Sequence, residues 1–324
     1  MPHIPRDRLR HPPRNRADSL ALYYLLALGI AWAGWVPYAA SRIGLLPFEV
    51  PWEVPLLAQF GPSLGAFLLT GLHEGRAGVQ QLFAQALRWR VAARWYVIAL
   101  VATPAIAAAS LLIHAGLGDS VPGWTAFGEW YIAYTDSFGG GGVYALDAER
   151  PASIGAISFL RELIRHSPWL AAANFIVFSL VTGPVSEEFG WRGYAQPRLA
   201  ARWSPLRAAI VVGILWGFWH TGPDFWRILL QGDPRAFLYP LAMIMGTVPL
   251  SILFAWMYGG TGRSLLPPML FHASFNATLS MLGLVWAGRS ALLIGAELVA
   301  GLWLMAIVVI IRCGASLSRN LVPR

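Results

Sequence analysis

Eight stretches of this chain each offer roughly the 20 apolar residues that a bilayer asks of a helix: about 20 to 40, 54 to 72, 95 to 116, 168 to 187, 207 to 222, 237 to 258, 265 to 284 and 291 to 312. Backbone in hydrocarbon must satisfy its own N–H and C=O groups, so runs of this length are expected as helices. The expected fold is therefore all-α, a polytopic membrane helix bundle of about eight transmembrane helices. Composition agrees, because 56% hydrophobic and 12% charged residues over 324 positions leave too little polar surface to cover a soluble domain.

An even number of spans puts both ends on one side, and arginine chooses which. Residues 1–18, with Arg6, Arg8, Arg10, Arg14 and Arg16 among prolines, read as a basic tail. Arg76, Arg88, Arg90 and Arg94 follow the second run, Arg192, Arg198, Arg202 and Arg207 the fourth, and Arg312, Arg319 and Arg324 close the chain. By the positive-inside rule these mark the cytoplasmic face. The expectation is a multi-pass protein of a bacterial plasma membrane with both termini cytoplasmic: tail 1–18, membrane domain 19–314, and a short cytoplasmic end at 315–324. The acidic, Gly-rich stretch 117–167 becomes an extracytoplasmic loop.

Two segments carry apolar residues on one helical face and suit the membrane interface: Ile154, Ile157, Leu160 and Ile164 in the loop, and Val79, Leu82, Phe83 and Leu87 on the cytoplasmic side. Trp35, Trp95, Trp124, Trp169 and Trp203 stand near run ends, as an aromatic belt does. The net charge of +8 is explained by arginines between apolar runs, which argues against a nucleic-acid partner. Cys313 is the single cysteine, which excludes an intramolecular disulfide and a cysteine metal cluster.

Ionisable residues inside a membrane cost about 2.5–3.5 kcal/mol each and usually mark function. Three clusters stand out. Glu187, Glu188 and Arg192 lie in GPVSEEFGWRGYAQPRL; Glu188 and Arg192, four apart, can pair, whereas Glu187 is turned about 100° away. His220 ends the apolar string LWGFWHTGP, and alone it reads as a packed, hydrogen-bonded core histidine. His272 and Asn276, in FHASFNATL, share one helical face, and alone they read as glue between helices. Gathered in a dry cavity, Glu187, the two histidines and Asn276 form a set able to activate water and stabilise an oxyanion.

The three motifs in order, Glu187-Glu188-x-x-x-Arg192, Trp216-x-x-x-His220 and His272-x-x-x-Asn276, resemble the CAAX prenyl protease and bacteriocin-processing family of intramembrane endopeptidases. The resemblance covers about residues 165–285, with Trp216 standing where the family commonly shows Phe. It implies that Glu187 and His220 activate a water, that His272 and Asn276 hold the oxyanion, and that Glu188 and Arg192 fix the helix carrying Glu187. It also implies membrane lipid and a peptide or lipidated, CAAX-like protein substrate as partners. The family is often labelled metalloprotease, and Glu187, His220 and His272 are acceptable zinc ligands. A metal-free mechanism is the preferred expectation, because the chain lacks HExxH, which places two ligands and a base on one helix. Two rivals remain: a serine protease using Ser63 in Gly61-Pro62-Ser63-Leu64-Gly65, whose GxxxG also serves helix packing, and a non-catalytic binding or bacteriocin-immunity protein of the same fold. One geometric demand is sharp. With straight, perpendicular spans Glu187 and His220 stand near opposite faces, so a fourth helix prolonged to about Arg198, or a tilted or short fifth helix, is required, and Gly183-Pro184 suits a kink just before Glu187.

Overall fold

The computed structural model describes residues 16–118, 176–177, 179–285 and 289–318. Most of the expected basic tail, residues 119–167 of the expected loop with its isoleucine-rich face, Trp124 and Trp169 lie outside the described residues. Those described are all-helical, with no strand among them. Helix α1 spans Arg16–Arg42, α2 Glu53–Ala58, α3 Gly61–Ala84 and α4 Ala93–Gly116. Helix α5 runs from Val181 to Ala200, followed by α6 Pro205–Trp219, α7 Pro223–Leu230, α8 Leu238–Gly260, α9 Leu266–Val285 and α10 Arg289–Cys313.

Four stretches, Ser19–Arg42, Ala93–Gly116, Pro234–Gly260 and Leu293–Ser316, are long and apolar enough to cross a membrane. The second expected run is broken: a short α2 precedes α3, and α3 bends at Gly75, whose φ of 66° an L side chain rarely adopts. Beyond that bend Leu82 is buried against the bundle while Phe83 and Leu87 are exposed. Two of the belt tryptophans turn inward instead. Trp35 donates its indole N–H to the Pro55 carbonyl at 3.0 Å, and Trp95 packs on Trp256, so both are buried, whereas Trp203 stays exposed.

Close packing depends on small residues, since lipid offers no hydrophobic drive for helices to associate. Along α6, Ala209, Gly213 and Gly217 recur every four residues and face α8. Ser251 donates to the Ala209 carbonyl at 2.7 Å and Thr247 to the Gly213 carbonyl at 2.8 Å. A Cβ at Gly213 would stand 2.7 Å from the Val248 Cα, so Gly213→Ala is expected to lower stability by about 1–3 kcal/mol. The measurement is the thermal midpoint of the solubilised protein, with Gly29→Ala, whose Cβ meets nothing within 4 Å, as the indifferent control. Gly61 serves α3 likewise: its Cβ would stand 2.5 Å from the Ala27 carbonyl of α1.

Two features position the site. Turn 85–88 is tied to turn 258–265, with Leu265 N–H donating to the Gln85 carbonyl at 2.9 Å, Ser264 to the Arg88 carbonyl at 2.7 Å, and Tyr258 to Gln85 Oε1 at 2.6 Å. These bonds fix where α9 begins. The other feature is α5 itself, which contains two wide, π-type turns, Val181–Val185 around Pro184 and Phe189–Ala195. Proline has no N–H to give and its ring clashes with the carbonyl four residues back, so the turn opens. Ser63 of α3 donates to the Val185 carbonyl in that widened turn at 2.8 Å.

Candidate active site

The depth problem posed by the sequence is resolved by the length of α5. The apolar run ends at Glu187, but the helix continues another thirteen residues to Ala200, and every residue from Phe189 to Ala195 is buried. Residues 201–204 then reverse the chain, with Ser204 capping α6 by accepting from the Arg207 N–H at 3.3 Å. At about 1.5 Å per residue, Glu187 stands roughly 20 Å before Ala200 and His220 roughly 22 Å after Pro205. Antiparallel neighbours thus present both side chains at one level, with the fourth helix prolonged past Glu187 and opened into a wide turn at Gly183-Pro184.

Trp216 joins them. Its indole N–H donates to Glu187 Oε2 in a short contact, and the Trp191 indole N–H reaches the same oxygen at 3.3 Å. Its carbonyl accepts from His220 Nδ1–H at 2.9 Å, which leaves the lone pair of the neutral ring on Nε2. Its ring stands edge-on to His220 and to His272, each 5.3 Å away between centroids. His220 is half-buried at the end of α6, whereas Glu187 and His272 are buried.

Glu188 forms the second node. Its Oε1 accepts from Arg192 at 3.2 Å and from His272 Nδ1–H at 2.8 Å, so the carboxylate clamps the α9 histidine as well as the i+4 arginine. Arg192 is wholly buried, with its guanidinium 4.2 Å above the Trp216 ring and 4.6 Å from that of Phe254 on α8. Among the described residues its Nε and second amino group have no hydrogen-bond acceptor, and the two aromatic faces take that place. The partially buried Asn276 lies one turn beyond His272. A Cβ at Gly183 would come 2.5 Å from Asn276 Nδ2 and 3.1 Å from His272 Nε2, so a glycine is what lets α5 approach these two nitrogens. Gly183→Ala is therefore expected to displace both and cut turnover about tenfold or more, given the sensitivity of catalysis to shifts of about 1 Å. The check is turnover measured beside an unchanged thermal midpoint.

The structure thus brings together Glu187, Glu188, Arg192, His220, His272 and Asn276. Among the described residues no cluster of three or more His, Cys, Asp or Glu stands in the arrangement of a metal site. Two further residues take part. Trp191 has a local signal, since it lies four residues from Glu187 on one helix. Phe254 has none because it comes from a distant helix, and for Trp216 the motif specifies only an aromatic, not an indole donor. Ser63 is committed to the Val185 carbonyl, and the motif around it packs α3 on α1.

Comparison with known proteins falls on the same segment. Residues 168–278 match the family model for type II CAAX prenyl endopeptidases, Rce1-like. Over 111 residues the chain is 30% identical to CAAX prenyl protease 2 of Methanococcus maripaludis, a match covering 34% of this chain and 41% of that relative. The chain thus spans about two fifths of the length of the curated relative it matches. All three motifs and every hydrogen bond that joins them fall inside this stretch, which is similar to the Rce1-like CAAX prenyl endopeptidase family.

Proposed function

We propose that this protein is an intramembrane endopeptidase using a metal-free, glutamate-activated water. The observation that carries the reading is the double role of Trp216, which sets Glu187 and His220 at one level with a carboxylate and an imidazole lone pair available together. A water held by these two attacks the scissile carbonyl carbon and gives its proton to Glu187. The oxygen of the tetrahedral intermediate takes hydrogen bonds from His272 Nε2–H and Asn276 Nδ2–H. His272 already gives Nδ1–H to Glu188, so donation from both nitrogens requires the imidazolium ring, with the Glu188 carboxylate as its counter-charge. Collapse breaks the C–N bond, and Glu187 returns the proton to the departing amine, leaving one carboxylate and one amine product. No step passes through a metal ion.

The matched relative is named a CAAX prenyl protease, and the substrate proposed here is a C-terminal peptide next to a lipidated cysteine. Lipid solvation brings such an anchor to the bundle laterally. Arg198, Arg202 and Arg207, at the α5–α6 reversal, support an orientation with that end of the bundle and both termini in the cytoplasm, by the positive-inside rule. The test is cleavage by the purified full chain of a farnesylated C-terminal peptide, its unmodified counterpart and a plain transmembrane peptide, with and without a strong chelator. Cleavage of the farnesylated peptide that survives the chelator supports the reading. Loss of activity on chelation overturns the metal-free mechanism, and absence of cleavage of all three overturns the protease.

A further inference from the structure

Glu187 carries two oxygens in unlike surroundings. Both indole donors, from Trp216 and Trp191, fall on Oε2. No donor among the described residues reaches Oε1, nor is Oε1 among the fully buried atoms that lack a partner, so it keeps some accessible surface. The two tryptophans come from different helices, α5 and α6, and both are fully buried. A carboxylate held at one oxygen by two fixed N–H groups loses its freedom of rotation and presents the other oxygen alone. At position 216 a phenylalanine keeps an aromatic ring, though a smaller one, and has no N–H to give.

Resting on the proposed protease reading, we infer that Trp216, seconded by Trp191, is a positioning residue of the hydrolytic step: the indole pair pins Glu187 Oε2 and makes Oε1 the oxygen that takes the proton from water. The indole N–H of Trp216 lies opposite a base rather than a substrate group, so it acts on turnover and not on substrate binding. The carbonyl of residue 216 serves His220 whatever the side chain, so exchange of the side chain separates the effect on Glu187 from that on His220.

Two measurements on the full chain in detergent test this. In the first, the protein is labelled with ¹⁵N in its sixteen tryptophans, and the indole signals lost in Trp216→Phe and Trp191→Phe identify the pair. Glu187→Gln keeps an acceptor but removes its charge, so those two indole signals are expected to shift while the remaining indoles stay in place. If neither moves, the indole–carboxylate bonds are absent and the inference fails, whether or not the protein is a protease. In the second, kinetics on a cleaved peptide are expected to show kcat lowered roughly 10- to 100-fold in Trp216→Phe, the range for a charge-assisted hydrogen bond, with KM within about twofold. Trp191→Phe, losing the longer bond, is expected to cost less. Full kcat in Trp216→Phe, or a loss confined to KM, overturns the positioning role. Absence of cleavage by the wild type defeats the protease reading instead, and with it the kinetic role, while the indole spectra still decide whether the bonds exist.

Discussion

Glu187→Gln is expected to lower peptide cleavage by about 10²–10⁴-fold, the usual worth of a positioned general base, while the protein inserts and unfolds as the wild type does. The substitution preserves shape, and its amide oxygen can still accept from Trp191 and Trp216, so the surrounding α5–α6 contact is retained. In the proposed mechanism it removes the carboxylate that takes the proton from water and returns it to the amine, and leaves the free Nε2 of His220 as the base behind any residual cleavage. The comparison is single-turnover cleavage by wild type and variant at equal amounts of membrane-inserted protein. Wild-type turnover in the variant would remove Glu187 from the mechanism, and a protein that merely binds its ligand would show no cleavage in either form.

Arg192→Met carries the largest expected effect on stability. Arg192 and Glu188 are both fully buried, and Glu188 Oε2 already lacks a partner among the described residues. Removing the guanidinium leaves the Glu188 carboxylate in the bundle core with His272 as its remaining donor, and strips the Trp216 and Phe254 faces of their cation. Breaking a buried pair from one side typically costs about 3–5 kcal/mol, because an uncompensated charge stays behind. The expected result is a large fall in the thermal midpoint of the solubilised protein. A second change supplies the control: Glu188→Gln together with Arg192→Met removes both charges of the pair, leaves His272 neutral against an amide oxygen, and is expected to recover part of the lost stability. If the double variant is no better than Arg192→Met alone, the loss comes from packing around the arginine rather than from the stranded carboxylate.

How the sequence misleads is instructive at α5. Hydropathy ends the fourth run at Glu187 because Glu187, Glu188 and Arg192 follow in quick succession, yet the bundle buries all three. A membrane site looks like a helix end when only the local average is read, since the polar groups that lower that average are matched by one another and by partners far away in the chain. The same reasoning explains Trp35 and Trp95. Their positions near run ends suit an interfacial belt, but a carbonyl at Pro55 and the ring of Trp256, both supplied by other segments, draw them inside.

The sequence by itself determined that the chain is helical and membrane-embedded, because length and apolarity of a run are local properties that the bilayer reads directly. It also determined which polar residues matter, since an ionisable group in an apolar run is costly wherever the run packs. Tertiary structure alone decided that Glu188 holds His272, that Arg192 lies between Trp216 and Phe254, and that two indoles grip one oxygen of Glu187. Those pairings join α5, α6, α8 and α9, and they depend on two π-type turns and on how closely Gly183 and Gly213 let the helices approach. Spacing along a chain fixes the face a residue occupies on its own helix. Which atom of a distant helix meets that face is set only when the helices pack.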